Sequence, residues 1–263
     1  PSAAAQPGMY ELCEAQGSAD AALPRTGLTQ RVHGTASGFV VGRLDGGEYI
    51  VATAFHVARE AIERAGREGG VRELRRAPTV DLRVLVSADP ADRSAPYIPA
   101  KDVQLLANAS KDEWQRGEDW ALLAISADGI PPPKVLKVAP TLPLAGERVW
   151  VFGFPTRTVR DLTPGSPYRN ANGDLRVSTG LIVSDAEARR RSAAPDLLST
   201  ADGVSGNSGS VVVNDRGEVV GLFRHHTATD GEADLRIGKY SGLAQIVPVQ
   251  FFSHLVELWR RPR

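Results

Sequence analysis

The sequence predicts an all-β fold of two packed antiparallel barrels closed by a C-terminal helix. Three observations lead there. Short runs rich in Val, Ile, Leu and aromatic residues recur along the chain, most of them bounded by Gly, Pro or Asp, the pattern of strands separated by turns. Helical periodicity is confined to one stretch after His56 and one at the end, too little for the alternation of strands and helices that builds a doubly wound sheet. The length of 263 residues exceeds an ordinary single domain and fits one all-β structure of two packed barrels.

Taken in order, residues 1–26 are rich in Ala, Gly, Pro and Ser with weak periodicity, and read as an N-terminal arm. Gly38-Phe39-Val40-Val41-Gly42 and Tyr49-Ile50-Val51-Ala52-Thr53 flank Asp45-Gly46-Gly47-Glu48. Asp-Gly and Gly-Gly supply the positive φ that a hairpin turn needs, so this is a hairpin. After His56, the residues Val57, Ala58, Ala61, Ile62 and Ala65 recur at helical spacing up to Gly69-Gly70, which predicts a helix. Further strands are expected at 80–86, 103–106, 121–125, 149–154, 177–183, 209–213, 219–223 and 242–246. Ile130-Pro131-Pro132-Pro133-Lys134 is stiff and cannot pair inside a sheet. It marks the expected crossing from an N-terminal barrel, 27–133, to a C-terminal barrel, 134–263. Val249, Phe251, Phe252, Leu255, Val256, Leu258 and Trp259 make one apolar helical face ahead of the basic Arg260-Arg261-Pro262-Arg263.

Composition narrows the function classes. An apolar content of 42% with 24% charged residues is that of a globular chain able to bury a core. Lys+Arg and Asp+Glu balance at 31 each, so no net field draws in nucleic acid or an anionic membrane surface. No apolar run reaches the roughly 18 residues of a membrane span, and the first residues lack a basic stretch followed by an apolar one. Cys13 is the one cysteine, so no intrachain disulfide is possible, and its surroundings offer nothing basic to activate a thiolate. No cofactor is expected. Oligomeric state is left open.

The chemistry lies in three places. In Gly206-Asn207-Ser208-Gly209-Ser210, glycines on both sides of a serine allow a backbone path that exposes the hydroxyl and aims successive N–H groups at one point. The apolar strand Val211-Val212-Val213, the turn Asn214-Asp215-Arg216-Gly217-Glu218 and the strand Val219-Val220-Gly221-Leu222-Phe223 follow, a hairpin directly behind that serine. A serine hydroxyl is a weak nucleophile near neutral pH and needs a base. Of five histidines, His56 stands where an apolar strand gives way to a helix, in Ala52-Thr53-Ala54-Phe55-His56-Val57-Ala58. A carboxylate must then hold the imidazole in one tautomer, and Asp119 stands at the mouth of the apolar strand Trp120-Ala121-Leu122-Leu123-Ala124-Ile125.

Gly34-Thr35-Ala36-Ser37-Gly38-Phe39-Val40-Val41, Thr53-Ala54-Phe55-His56-Val57, Asp119-Trp120-Ala121-Leu122-Leu123 and Gly206-Asn207-Ser208-Gly209-Ser210 resemble, in order and approximate spacing, the motifs of trypsin-like serine peptidases of chymotrypsin fold. The resemblance implies two perpendicular six-stranded barrels with His56, Asp119 and Ser208 as the catalytic residues in the cleft between them. It also implies an oxyanion hole formed by the Gly206 and Ser208 amides, and a peptide or protein substrate. Phe152-Gly153-Phe154-Pro155-Thr156-Arg157-Thr158 and the run Leu198 to Ser210 are similar to the bacterial dipeptidyl-peptidase branch of this clan. The chain has no room for the helical domain that caps the cleft in that branch, so an open-cleft endopeptidase is the simpler expectation. An extracytoplasmic location is expected by analogy with such relatives.

The departures from the family pattern are Phe55 in place of a small residue, Ser210-Val211 after the serine motif, the lack of an Ile-Val-Gly-Gly start, and Arg224 where a serine commonly lies beside the catalytic acid. For substrate binding two cues oppose each other. Asp202, six residues before Ser208, stands where trypsin carries the acid that pairs with Arg or Lys. Arg224, His225 and His226 on the following strand favour an acidic side chain instead. Adjacent strand residues point to opposite faces and no further ligand motif lies nearby, so His225-His226 is not read as a metal site. The rival functions are a peptide-binding module that captures without cutting, and an esterase or depolymerase on the same scaffold.

Overall fold

The computed structural model describes residues 9–17, 30–64, 70–71, 82–87, 97–100, 102–115, 118–126, 128, 135–154, 175–183, 197–203, 206–226 and 243–260. The strand-forming runs pair in two sheets. The first holds β1 (Met9–Gly17), β2 (Gln30–Arg43), β3 (Tyr49–Thr53), β4 (Gly70–Val71), β5 (Leu82–Ser87), β6 (Tyr97–Pro99), β7 (Gln104–Asn108) and β8 (Ala121–Ile125), in the order β4-β7-β8-β3-β2-β1-β5-β6. The second holds β9 (Arg148–Gly153), β10 (Arg176–Val183), β11 (Leu197–Ser199), β12 (Val211–Asn214), β13 (Val219–His226) and β14 (Ala244–Pro248), closed in the order β10-β11-β14-β13-β12-β9. Helix α1 (Phe55–Arg64) follows β3, the short α2 (Lys111–Gln115) follows β7, and a 3-10 turn at Val249–Phe251 leads into α3 (Ser253–Arg260).

The second sheet is the expected six-stranded antiparallel barrel, and the expected C-terminal helix is present as α3. The first sheet corrects the expectation. Among the described residues it has eight strands and is not closed, and its ends, β4 and β6, are two and three residues long. Strands that short offer too few ladder bonds to join the two edges. The stretch read as an arm contributes β1, Met-Tyr-Glu-Leu-Cys-Glu-Ala-Gln-Gly, which contains no Val, Ile or Thr to announce it. Its pairing is tertiary: Tyr10 stands opposite Gly38 of β2 on one side and Val86 of β5 on the other.

The hairpin of β2 and β3 turns as the sequence reads, with the positive φ, 96°, at Gly47. Along β8 every residue is buried, because both faces are covered. Ala121, Leu123 and Ile125 pack with Val40, Val51, Leu105 and the α1 residues Phe55, Ala58 and Ile62. Leu122 and Ala124 join a second core between the two sheets, where Phe39, Phe152, Phe154, Leu222 and the α3 residues Leu255, Val256 and Trp259 meet. A third core, Val149, Val151, Ile182, Leu197, Val212, Val220 and Ile246, draws on all six strands of the closed barrel. Trp120 and Phe252 stack with ring centroids 5.9 Å apart, so the C-terminal segment is docked beside the mouth of β8.

The proline run 130–134 lies outside the described residues. Just past it, the Leu136 N–H donates to the Val40 carbonyl at 3.1 Å and the Ala139 N–H to the Val219 carbonyl at 2.8 Å, tying this segment to both sheets. No helix among the described residues is long and apolar enough to cross a membrane.

Candidate active site

His56 is the second residue of α1. The first N–H groups of a helix have no partner within it and need an acceptor from outside. Here Asp119 Oδ1 accepts the His56 N–H at 2.8 Å, and its other oxygen, Oδ2, lies 2.6 Å from His56 Nδ1. One carboxylate therefore fixes both the helix start and the ring. An ionised carboxylate only accepts, so Nδ1 carries the proton and Nε2 is left as the acceptor. The Asp119 side chain is 1% exposed and that of His56 36%, which puts the ring edge at the surface and its orienting acid beneath it.

Burial pushes the Asp119 carboxyl up, but the hydrogen bonds and charge of His56 and the charge of Arg224 outweigh it, and the group ends below the ordinary value of 3.8. A depressed folded value contributes stability that is complete above the unfolded value and is lost as pH falls through the folded one. Asp119→Asn should therefore flatten the fall of Tm on acidification below about pH 4, read as Tm against pH for both proteins. Glu218, held at about 2 by Lys137, Arg216 and Asn214, is common to both and cancels in the comparison.

Ser208 lies in a loop shaped by two glycines in the left-handed region, Gly206 at φ 93° and Gly209 at φ 81°. A Cβ on Gly209 would also overlap the Ser37 carbonyl oxygen and Thr53 Oγ1, so only glycine fits. The Asn207 carbonyl accepts from the Ser210 N–H at 2.8 Å. In a trans peptide the N–H points opposite to the C=O, so the Ser208 N–H points away from that bond. The half-buried Ser208 hydroxyl donates to the Arg224 carbonyl at 3.1 Å. Among the described residues there is no hydrogen bond between it and the imidazole.

Sequence reasoning missed the groups that hold this loop. Ser37 of β2 is buried, and its hydroxyl donates to the Gly206 carbonyl at 3.0 Å while accepting from the Phe154 N–H at 2.8 Å. Its N–H donates to the Ser208 carbonyl at 2.8 Å, and its own carbonyl accepts from Thr53 Oγ1 at 2.9 Å. The signal was a serine just ahead of the apolar run Gly38-Phe39-Val40-Val41, where a buried hydroxyl must find partners. Ser37→Ala leaves two buried groups without that hydroxyl, each costing about 1–3 kcal/mol. A lowered Tm should accompany it, checked by calorimetry.

Arg224 falls where the β13–β14 register slips between Phe223 and His225. A bulge re-aims its residue, and the Arg224 side chain, 18% exposed, brings Nε to 3.3 Å from Asp119 Oδ2 and Nη1 to 3.4 Å from Gln245 Oε1. His56, Asp119 and Arg224 thus meet, and the Arg224 main chain meets Ser208. His225 is exposed, and the His226 side chain lies outside the described residues. Asp202 is exposed; its Oδ1 accepts from the Gly203 N–H at 2.9 Å and its carbonyl from the Ser178 hydroxyl. Residues 155–158 and 204–205 of the narrower dipeptidyl-peptidase likeness lie outside the described residues. Among the described residues no group of three or more His, Cys, Asp and Glu side chains could hold a metal ion.

A comparison with curated proteins returns no match. The family model of the trypsin-like peptidase domain matches residues 36–222, more than half of the chain. That match begins one residue before Ser37 and ends inside β13, enclosing His56, Asp119 and Ser208 and most of the closed barrel. The chain therefore belongs to the trypsin-like peptidase family, as a peptidase of chymotrypsin fold.

Proposed function

We propose that the chain is a serine endopeptidase in which Ser208 is the nucleophile, His56 the general base and then acid, and Asp119 the group that orients His56. The observation that carries this reading is the double hydrogen bond of Asp119 to the His56 N–H and Nδ1, which holds Nε2 as a proton acceptor. Ser208 Oγ turns from the Arg224 carbonyl about its side-chain torsion and gives its proton to Nε2 as it attacks the carbonyl carbon of the scissile peptide. The oxyanion is held by the Gly206 and Ser208 amides. Collapse breaks the C–N bond, the imidazolium protonates the leaving amine, and an acyl-enzyme ester remains on Ser208. Water, deprotonated by His56, attacks that ester, and the acid product leaves as Ser208 recovers its proton. Of the two pocket cues, the Arg224 guanidinium is turned onto Asp119 while Asp202 and His225 are both exposed, and the side-chain preference is read from the peptide library digest.

The bond from the Ser208 hydroxyl to the Arg224 carbonyl rather than to the imidazole favours a second reading, a latent or non-cleaving peptide-binding module. A fluorophosphonate probe separates the two. Labelling of wild type but not of Ser208→Ala, with internal cuts in a peptide library, supports the endopeptidase. Folded wild type that neither labels nor cuts supports the binding module, and turnover of small esters without peptide cleavage supports an esterase.

A further inference from the structure

Asp119 Oδ2 faces two cationic or potentially cationic partners. The imidazole of His56 reaches it from the start of α1 at 2.6 Å, and the guanidinium of Arg224 reaches it from β13 at 3.3 Å. These are the two groups whose charges act on the carboxylate. From β14 the neutral Gln245 adjoins the guanidinium. The slip in register at Phe223/His225 puts Arg224 there, and the same residue's carbonyl receives the Ser208 hydroxyl. One bulged residue therefore touches two of the three groups assigned to the reaction.

We propose that Arg224 is a positioning residue of the hydrolysis, its guanidinium sharing Asp119 Oδ2 with the imidazole and so extending the working range of the enzyme toward lower pH. The inference rests on the serine hydrolase reading above. The reaction needs a neutral ring at its start. A fixed positive charge across the carboxylate opposes the protonated ring that would stop it, and in a site this buried salt screens the effect little. The cost is a weaker hold on the imidazolium that forms in the transition state.

The test is kcat/KM against pH for wild type, Arg224→Gln, Arg224→Lys and Gln245→Glu, with probe labelling of each. In Arg224→Gln the acidic limb is expected to move up by about one pH unit. Arg224→Lys, which keeps the charge, should stay closer to wild type. Gln245→Glu leaves Arg224 in place but sets a second carboxylate beside it, and should move the limb the same way by a smaller amount. A purely structural role would lower Tm and kcat without moving the limb, so coincident limbs in all four proteins overturn the inference. If Arg224→Gln does not fold, an unmoved limb in Gln245→Glu overturns it. An unlabelled and inactive wild type overturns the hydrolase reading itself, and this inference with it.

Discussion

Ser208→Ala is expected to lower kcat/KM on a peptide substrate by about 100,000-fold or more, with the fold retained. The removed oxygen is the only atom of the reading that forms the acyl bond, so no neighbouring group can replace it. Its hydrogen bond is to a carbonyl, that of Arg224, which sits at a half-buried position; a carbonyl can be satisfied there by water. The loop itself is held by main-chain bonds and by Ser37, from the Ser208 carbonyl to the Ser37 N–H and from Gly206 to the Ser37 hydroxyl, and alanine keeps these. Matching Tm and circular dichroism with lost turnover is the expected pair of results. Residual turnover within tenfold of wild type would remove Ser208 from its assigned role.

Asp119→Asn should lower kcat by about 10,000-fold near neutral pH. The carboxylate accepts at both oxygens, from the His56 N–H at 2.8 Å and at His56 Nδ1 at 2.6 Å. An amide has one oxygen and one NH₂. If the oxygen takes the helix N–H, the NH₂ faces Nδ1 and forces the proton to Nε2, the atom proposed to accept from Ser208. If the NH₂ faces the helix N–H instead, two donors collide at the start of α1. In the first arrangement the Arg224 guanidinium also loses its anion. Kinetics on peptide and on an activated ester, with Ser208 labelling rates, check this: labelling should slow along with kcat, because both need the same base. An Asp119→Asn enzyme that labels at the wild-type rate would show that another group orients or replaces His56.

Much of the fold was legible because it rests on local patterns. β8 was read at its observed bounds, 121–125, from five consecutive apolar residues behind Asp119-Trp120, and β3 likewise at Tyr49–Thr53. Helix α1 was found from its apolar spacing, although it begins at Phe55, one residue before His56. β4, β6 and β11 escaped notice because they are two or three residues long, too short for a period-two pattern to be recognised. The Ser208 loop could be located because its glycines are required by backbone angle at Gly206 and Gly209. Arg224 was visible as a departure, but its direction was not: alternation along β13 cannot foresee a slip in register.

By itself, the sequence determined the predominance of strands, the helix after β3, the docked C-terminal helix, the glycine-bounded serine loop and the resemblance to trypsin-like peptidases. All of these depend on neighbours a few residues apart, through side-chain periodicity and the φ values that glycine permits. Only the tertiary structure decided that the first sheet has eight strands among the described residues, that β1 lies between β2 and β5, that Asp119 grips the start of α1 from 63 residues away, and that Ser37 secures Gly206 across a separation of 169. Which polar groups are buried together, and so must satisfy one another, is set by how distant strands pack, and no local pattern carries that information.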